Sequence, residues 1–136
     1  MKTNIEVPKF VLIITFLTGL IATVLGIWAS LSPETHPQFL GEVKSVLSWS
    51  GRELGLGLSC LLAVFFLRDA RVIMAVLFGS WIRETLDFID FFRLTDTPTR
   101  LYVVVGVSVI LHSMALYLTW KAIVNTESIS PKIQNT

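Results

Sequence analysis

FVLIITFLTGLIATVLGIWASL, Phe10 to Leu31, is a run of 22 residues without a charged side chain. An α-helix rises about 1.5 Å per residue, so the run extends roughly 33 Å and covers the ~30 Å hydrocarbon core of a bilayer. Lys2 and Lys9 precede it as the n-region of a signal peptide would. Its apolar core is longer than the h-region of such a peptide, and Trp28 sits near the place where a cleavage site would fall. The run therefore reads as a first membrane span.

Three further stretches read the same way. Leu101 to Trp120 is a 20-residue run with His112 as its one ionisable group besides tyrosine. Leu54 to Leu67 gives 14 apolar or small residues, about 21 Å of helix. A full span ending at Leu67 reaches back over Ser50, Gly51, Arg52 and Glu53. Val72 to Phe92, VIMAVLFGSWIRETLDFIDFF, is apolar as far as Ile82 and then carries Arg83, Glu84, Asp87 and Asp90. The expected fold is all-α: a single membrane domain forming an up-down four-helix transmembrane bundle, with spans at 10–31, 48–67, 72–92 and 101–120 and a polar tail over 121–136, frayed from Asn125 to Thr136. Arg68-Asp69-Ala70 is short enough to make spans two and three an antiparallel hairpin. Between spans one and two, Phe39, Val43, Val46 and Ser50 recur at helical spacing. They predict an interfacial amphipathic segment after span one, either an anchor or a lid over a site opening outward.

The whole chain agrees with this class. Its 136 residues are 53% hydrophobic, with a mean hydropathy of +0.70, unlike an ordinary soluble domain of this length. The net charge of +1 gives no nucleic-acid footprint. Cys60 is the single cysteine, so an internal disulfide and a redox cysteine pair are excluded. His36 and His112 lie far apart without metal-ligand spacing, and no glycine-rich phosphate loop follows a strand pattern. No metal or cofactor is expected. Lys2, Lys9, Arg68, Arg71, Lys121 and Lys132 fall on one side of the spans. Lys44, Arg93 and Arg100 fall on the other, with Arg52 at its boundary. The bias places both termini in the cytoplasm of a multi-pass integral membrane protein.

A charge at a bilayer centre costs roughly 2.5–3.5 kcal/mol on insertion scales, so such residues turn towards a polar interior. Stepping at 1.5 Å per residue from the span midpoints puts Arg52, Glu53 and Asp87 at about the same depth, 8–9 Å outward of centre. Asp90 lies slightly further out, and Arg83, Glu84 and His112 lie near the centre. Arg83, Asp87 and Asp90 share an arc of about 60° on one helix face. Arg83 is expected to pair with Asp87 one turn on, or alternatively with Glu53. Arg52 is expected to pair across the hairpin with Asp87 or Asp90. Two arginines against four carboxylates leave a formal excess of negative charge. Burial and crowding both favour the protonated form of a carboxylic acid. The cluster is therefore expected to hold a proton, bind a cation, recruit His112 as imidazolium, or stay wet from outside. Glu84, nearest the centre, is the first candidate to carry the proton. The plain alternative is a charge lock between helices. His112 is expected to hydrogen-bond Ser108 one turn back. Glycines and threonines at Thr15, Gly19, Thr23 and Gly26, and at Gly51, Gly55 and Gly57, read as close helix packing. Cys60 reads as core filler.

GRELGLGLSCLLAVFFLRDARVIMAVL, residues 51–77, resembles the small four-span DoxX-like membrane proteins, in particular their short members. Gly51, Arg52, Glu53 and Leu54 match the start of that family's second span, and Leu56-Gly57 matches the Leu-Gly that follows. The short basic turn and a polar residue in the third span also match, and the similarity extends over about Thr15 to Trp120. The resemblance implies a four-span fold. Quinone-linked oxidoreductase subunits are among the named relatives, but no redox cysteine pair or haem ligand pair stands here. The charge load of the third span exceeds the family pattern.

Three classes of function fit these residues. The first is a small enzyme acting by acid/base chemistry on a lipophilic molecule, by isomerisation, cyclisation or hydrolysis. Its candidate catalytic residues are Glu84, Asp87, Asp90, Glu53 and His112, with Arg52, Arg83, Trp81 and Tyr102 as substrate-binding or electrostatic partners. The second is proton- or cation-coupled transport of a small molecule, and the third a non-catalytic accessory subunit. The expected partners are the lipid bilayer, a lipophilic small molecule, and a second copy or another membrane protein.

Overall fold

The computed structural model describes residues 5–32, 43–92 and 99–133, the side chains of 43–48, 90–91, 101 and 128–133 excepted. Among the described residues the fold is all-α, with four helices: α1 (Lys9–Leu31), α2 (Val43–Leu62), α3 (Ala70–Phe91) and α4 (Thr99–Ile133). Three segments are long and apolar enough to cross a membrane: Lys9–Leu31, Trp49–Leu67 and Tyr102–Glu127. Large apolar side chains point outward along them, Phe66 at 78% exposure being an extreme, with Ile21, Leu31, Val104, Ile110 and Tyr117 also more than half exposed. A lipid surround removes the penalty that water would impose on such a surface.

Small residues decide how α1 and α2 meet. The buried face of α1 is Val11, Ile14, Thr15, Gly19, Ala22, Gly26 and Ala29. Gly19 lies against Gly57, Cys60 and Leu61, and Gly26 against Ser50 and Leu54, so the two helices run antiparallel. Without side chains at these points the backbones approach closely, the main source of helix attraction in lipid. Only Gly57 of the three α2 glycines serves this contact. A Cβ on Gly57 would stand 2.6 Å from the Thr23 nitrogen, whereas Gly51 and Gly55 have open space beside them. That corrects the expectation that all three pack against a helix. Hydroxyls inside the helices bond back to the preceding turn, Thr15 to the Val11 carbonyl at 2.8 Å and Thr119 to that of Ala115 at 2.7 Å. This satisfies them where no water is at hand.

The α2–α3 turn is built from local chemistry. The end of α2 widens into a π-helical turn, Ala63–Leu67, and Arg68 reverses the chain at φ 44°. The Arg68 N–H donates to the Ala63 carbonyl at 2.9 Å. Asp69 then caps α3: its Oδ1 accepts the N–H groups of Arg71 at 2.8 Å and Val72 at 3.2 Å. The buried stripe of α3 begins apolar with Ala70, Ile73 and Leu77, then turns polar with Ser80 and Glu84. Steps of three and four residues keep all five on one face. The lower half of the molecule therefore has a hydrocarbon core of Val11, Ile14, Ala63, Ile73, Leu77 and Ala115. The same faces carry polar groups at the other end.

Two expectations change here. The helix of the fourth span does not stop at Trp120 but continues to Ile133, so most of the segment read as a frayed tail is helical. Nothing from Lys121 to Ser130 removes a backbone donor, and Thr126 bonds back to the Ala122 carbonyl at 2.8 Å. The interfacial segment lies partly outside the described residues, which resume at Val43. From Val43 the chain already belongs to α2.

Candidate functional site

The polar end of the shared faces becomes a site because α3 presents two adjacent charges to the interior. Arg83 Nη1 donates to Glu53 Oε2 at 2.5 Å, and Arg83 Nη2 donates to Glu84 Oε1. Glu53 is 2% exposed and Glu84 9%, so one guanidinium holds two largely buried carboxylates from two helices. Glu53 is brought inward by its position on the α2 face that carries Ser50, Gly57 and Cys60. Burial of a charge demands such a partner, because an isolated ion in this setting costs several kcal/mol. Of the two expected partners of Arg83, Glu53 makes the close contact; Asp87 stands near enough to act on Arg83 electrostatically.

His112 joins three helices. Its Nδ1 lies 2.8 Å from the Ser108 carbonyl and 3.4 Å from the Ser108 hydroxyl. Its Nε2 lies 3.0 Å from Thr18 Oγ1 on α1 and 3.0 Å from Ser80 Oγ on α3. A carbonyl can only accept, so Nδ1 carries the hydrogen. In the neutral ring Nε2 is then an acceptor, facing two hydroxyls. The Ser108 contact was expected from the one-turn spacing. Thr18 and Ser80 were not; their one signal is that both fall near the middle of their spans, level with His112.

These groups line one cavity of about 440 Å³ between α1 and α4. Its polar wall is Glu53, Arg83, Glu84, Asp87, Thr18, Ser108 and His112. Its apolar wall includes Ala22, Leu25 and Leu111, with Trp49 at the α2 end. Leu17, Ile21, Val104 and Val107 also line it and are themselves exposed on the outer surface. They mark a mouth on the side of the bundle. The volume falls within the range of small-molecule sites, ~300–1,000 Å³, with apolar walls and a few convergent polar groups.

Other residues named from the sequence lie away from this cavity. Arg52 is exposed, because its neighbour Glu53 takes the inward position about 100° round the helix. Trp81 turns to the outer α3–α4 face, where its Nε1 donates to Ser113 Oγ at 2.9 Å and its ring stacks on Phe78. Tyr102 packs on Phe92 with ring centroids 5.2 Å apart. The side chain of Asp90 lies outside those described.

The arrangement can do two things chemically. It can hold and release a proton through carboxylates that share one cation, and it can receive an apolar molecule from the side. Compared with protein-family models, curated proteins and solved structures, the chain matches none.

Proposed function

We propose that this chain is a multi-pass integral membrane protein, an up-down four-helix transmembrane bundle with both termini cytoplasmic, whose α1–α4 cavity binds a lipophilic small molecule and acts on it by acid/base chemistry. The observation that carries this reading is the cavity of about 440 Å³ that gathers Glu53, Arg83, Glu84, Asp87 and His112 behind an apolar side mouth. α3 adds a span to the three apolar ones because Glu84 is buried and Arg83 mostly so. Phe78, Ile82, Leu86 and Ile89 are left on its exposed face. The DoxX-like resemblance over residues 51–77 supports the same four-span reading.

In this reading Glu84 takes a proton from one atom of the substrate and returns it to another. Arg83 steadies the negative charge left in between. An isomerisation of this kind needs no second substrate and returns the carboxylate to its starting state. His112, tied to three helices, holds the Thr18 hydroxyl at the cavity wall and is itself backed by the buried Ser80 hydroxyl.

A second reading, a proton- or cation-coupled transporter working as an oligomer, is favoured by one feature. Gly51, Gly55 and Ser59 stand at four-residue steps on the exposed side of α2. Small residues on a lipid-facing helix are where a second copy packs.

The test is saturable binding to the protein in phosphatidylcholine nanodiscs, over empty discs, of three lipophiles: triphenylmethanol, tetraphenylphosphonium and tetraphenylborate. At least one should bind at one site per chain. Val107→Trp, which plugs the mouth and leaves every charge in place, should abolish that binding. If none of the three binds saturably, or the plug has no effect, the cavity is not a ligand site.

A further inference from the structure

Taking α3 and α4 as membrane spans, as just proposed, we infer that the groove on their outer face is a binding site for a phospholipid, one acyl chain lying along the groove and the phosphate resting on Arg71. The groove has a volume of about 540 Å³ and shares no lining residue with the α1–α4 cavity. Its walls are aromatic. Phe78 stacks on Trp81 along α3 with ring centroids 6.0 Å apart, and Tyr117 packs on Trp120 along α4 at 6.2 Å. Met74, Ala75 and Leu116 complete the apolar lining.

The groove covers the depth of one leaflet. Trp81 meets Ser113 and Arg71 meets Glu127, so α3 and α4 run antiparallel beside it. Arg71 stands next to the α2–α3 turn, and Trp81 is ten residues further along the same helix. Ten residues rise about 15 Å, half of the ~30 Å hydrocarbon core. A helix of a second copy would cross both leaflets, whereas this groove ends at mid-depth. Its polarity changes along that depth as a lipid's does. At the deep end Trp81 Nε1 donates to Ser113 Oγ at 2.9 Å, and the Ser113 hydroxyl donates to the Val109 carbonyl at 2.8 Å. Those polar groups are bonded within the protein, so an occupant meets rings and hydrocarbon there. At the surface end stand Tyr117 and Trp120, residue types that gather at membrane interfaces, and the charged Arg71.

Arg71 is placed to take a headgroup. It bonds Glu127 through Nη2 at 2.6 Å, with the two side chains 64% and 56% exposed. An exposed ion pair of this kind holds weakly. A guanidinium presents five donors in a planar fork that matches a phosphate. A headgroup arriving from the leaflet surface therefore shares the guanidinium with Glu127 or displaces that carboxylate. Basic pockets between spans are where lipid headgroups bind. A lipid without a phosphate gains the apolar walls alone.

The experiment uses the full chain, delipidated in dodecyl maltoside micelles, with bound lipid counted by native mass spectrometry. Dioleoylphosphatidylglycerol and dioleoylglycerol carry the same chains with and without a phosphate. The phospholipid should bind saturably at one per chain. Dioleoylglycerol should bind at least about fivefold more weakly, the effect of one arginine beside an anionic headgroup. Arg71→Gln should bring the phospholipid down to the level of dioleoylglycerol, and Glu127→Gln, which removes the competing carboxylate, should tighten it. Ala75→Trp fills the groove from an exposed position, keeps every charge and should abolish binding of both lipids. Val107→Trp, at the mouth of the other cavity, should change neither, so this site stands or falls apart from that one. Equal affinity for the two lipids, or an Arg71→Gln protein that binds as the parent does, overturns the phosphate assignment. Absence of saturable binding, or binding that survives Ala75→Trp, overturns the groove as a lipid site. A dimer that Ala75→Trp dissociates would overturn it too and give the groove to a second copy.

Discussion

Arg83 on α3 and Glu53 on α2 are joined across the bundle at 2.5 Å, and the same guanidinium holds Glu84 beside it. One cation therefore pairs with two largely buried carboxylates, one from each helix. The α2–α3 turn fixes this pairing. From Arg68, fifteen residues back reach Glu53 and fifteen forward reach Arg83, so the two fall at equal depth.

The first prediction concerns that pair. Arg83→Ala leaves Glu53 and Glu84 buried with no cation, and should destabilise the protein by roughly 3–5 kcal/mol. Removing both members, as Arg83→Leu with Glu53→Leu, strands fewer charges and should cost less than the single change. Reversible unfolding in mixed micelles, followed by circular dichroism, measures both. Equal losses would contradict direct coupling.

A second prediction separates glycines that look alike in the sequence. Gly57→Ala drives a methyl group into the Thr23 side chain and backbone, and overpacking of this kind costs about 1–3 kcal/mol. Gly55→Ala meets open space and should be neutral, or stabilising by up to about 1 kcal/mol through helix propensity. The same unfolding assay decides it. A tolerated Gly57→Ala would remove the close α1–α2 contact from the account.

How much of this was legible in the chain depends on which force sets each feature. Apolar length set the helices around Phe10–Leu31 and Leu101–Trp120, and it is written locally. Glu84 was singled out by its depth near the span centre, whereas the stripe of Ala70, Ile73, Leu77 and Ser80 that turns it inward was not read. The choice of Glu53 over Asp87 by Arg83 was not legible, because a long arginine reaches along its own helix or across to the next. Gly51, Gly55 and Gly57 differ only in angle round α2, and the angle matters only once α1 is in place. Thr18 and Ser80 reach His112 from 94 and 32 residues away, and no local pattern announces them. The length of α4 was missed because polarity was taken for an end, although a polar helix needs no stop at the membrane surface.

The third prediction is spectroscopic. The Ser108 carbonyl requires the hydrogen of His112 on Nδ1, so solid-state ¹⁵N spectra of labelled protein in lipid should show a protonated Nδ1. Nε2 should appear as an acceptor. Ser80→Ala with Thr18→Val removes both hydroxyls and should shift the Nε2 signal while leaving Nδ1 protonated. A ring protonated at Nε2 alone would overturn the hydrogen-bond assignment.

The fourth concerns orientation. The excess of Lys and Arg around Lys2, Lys9, Arg68, Arg71 and Lys121 predicts cytoplasmic termini. Cysteines placed singly at positions 2 and 132 in a Cys60→Ser background should resist a membrane-impermeant maleimide in intact cells and react after permeabilisation. Reaction from outside at either position would reverse the topology and put the Glu53–Arg83 end of the cavity on the cytoplasmic side.

The last prediction distinguishes a working site from a scaffold. Glu84→Gln keeps the size of the side chain and a hydrogen-bonding oxygen for Arg83, but it removes the group that titrates. If the cluster only locks α2 to α3, the variant loses one buried charge. It should fold as well as the parent or better, since a buried ion pair adds little net stability, and the cell should be indifferent to it. If Glu84 moves a proton to or from a ligand, the variant should extract as a monodisperse protein with an unchanged unfolding transition. The growth or metabolite phenotype of a deletion should then persist when this variant replaces the parent. Glu84→Asp, which restores the acid on a shorter arm, should recover part of the activity. A Glu84→Gln protein that is well folded and fully active in cells would leave the carboxylate cluster as a lock and the accessory-subunit reading in front.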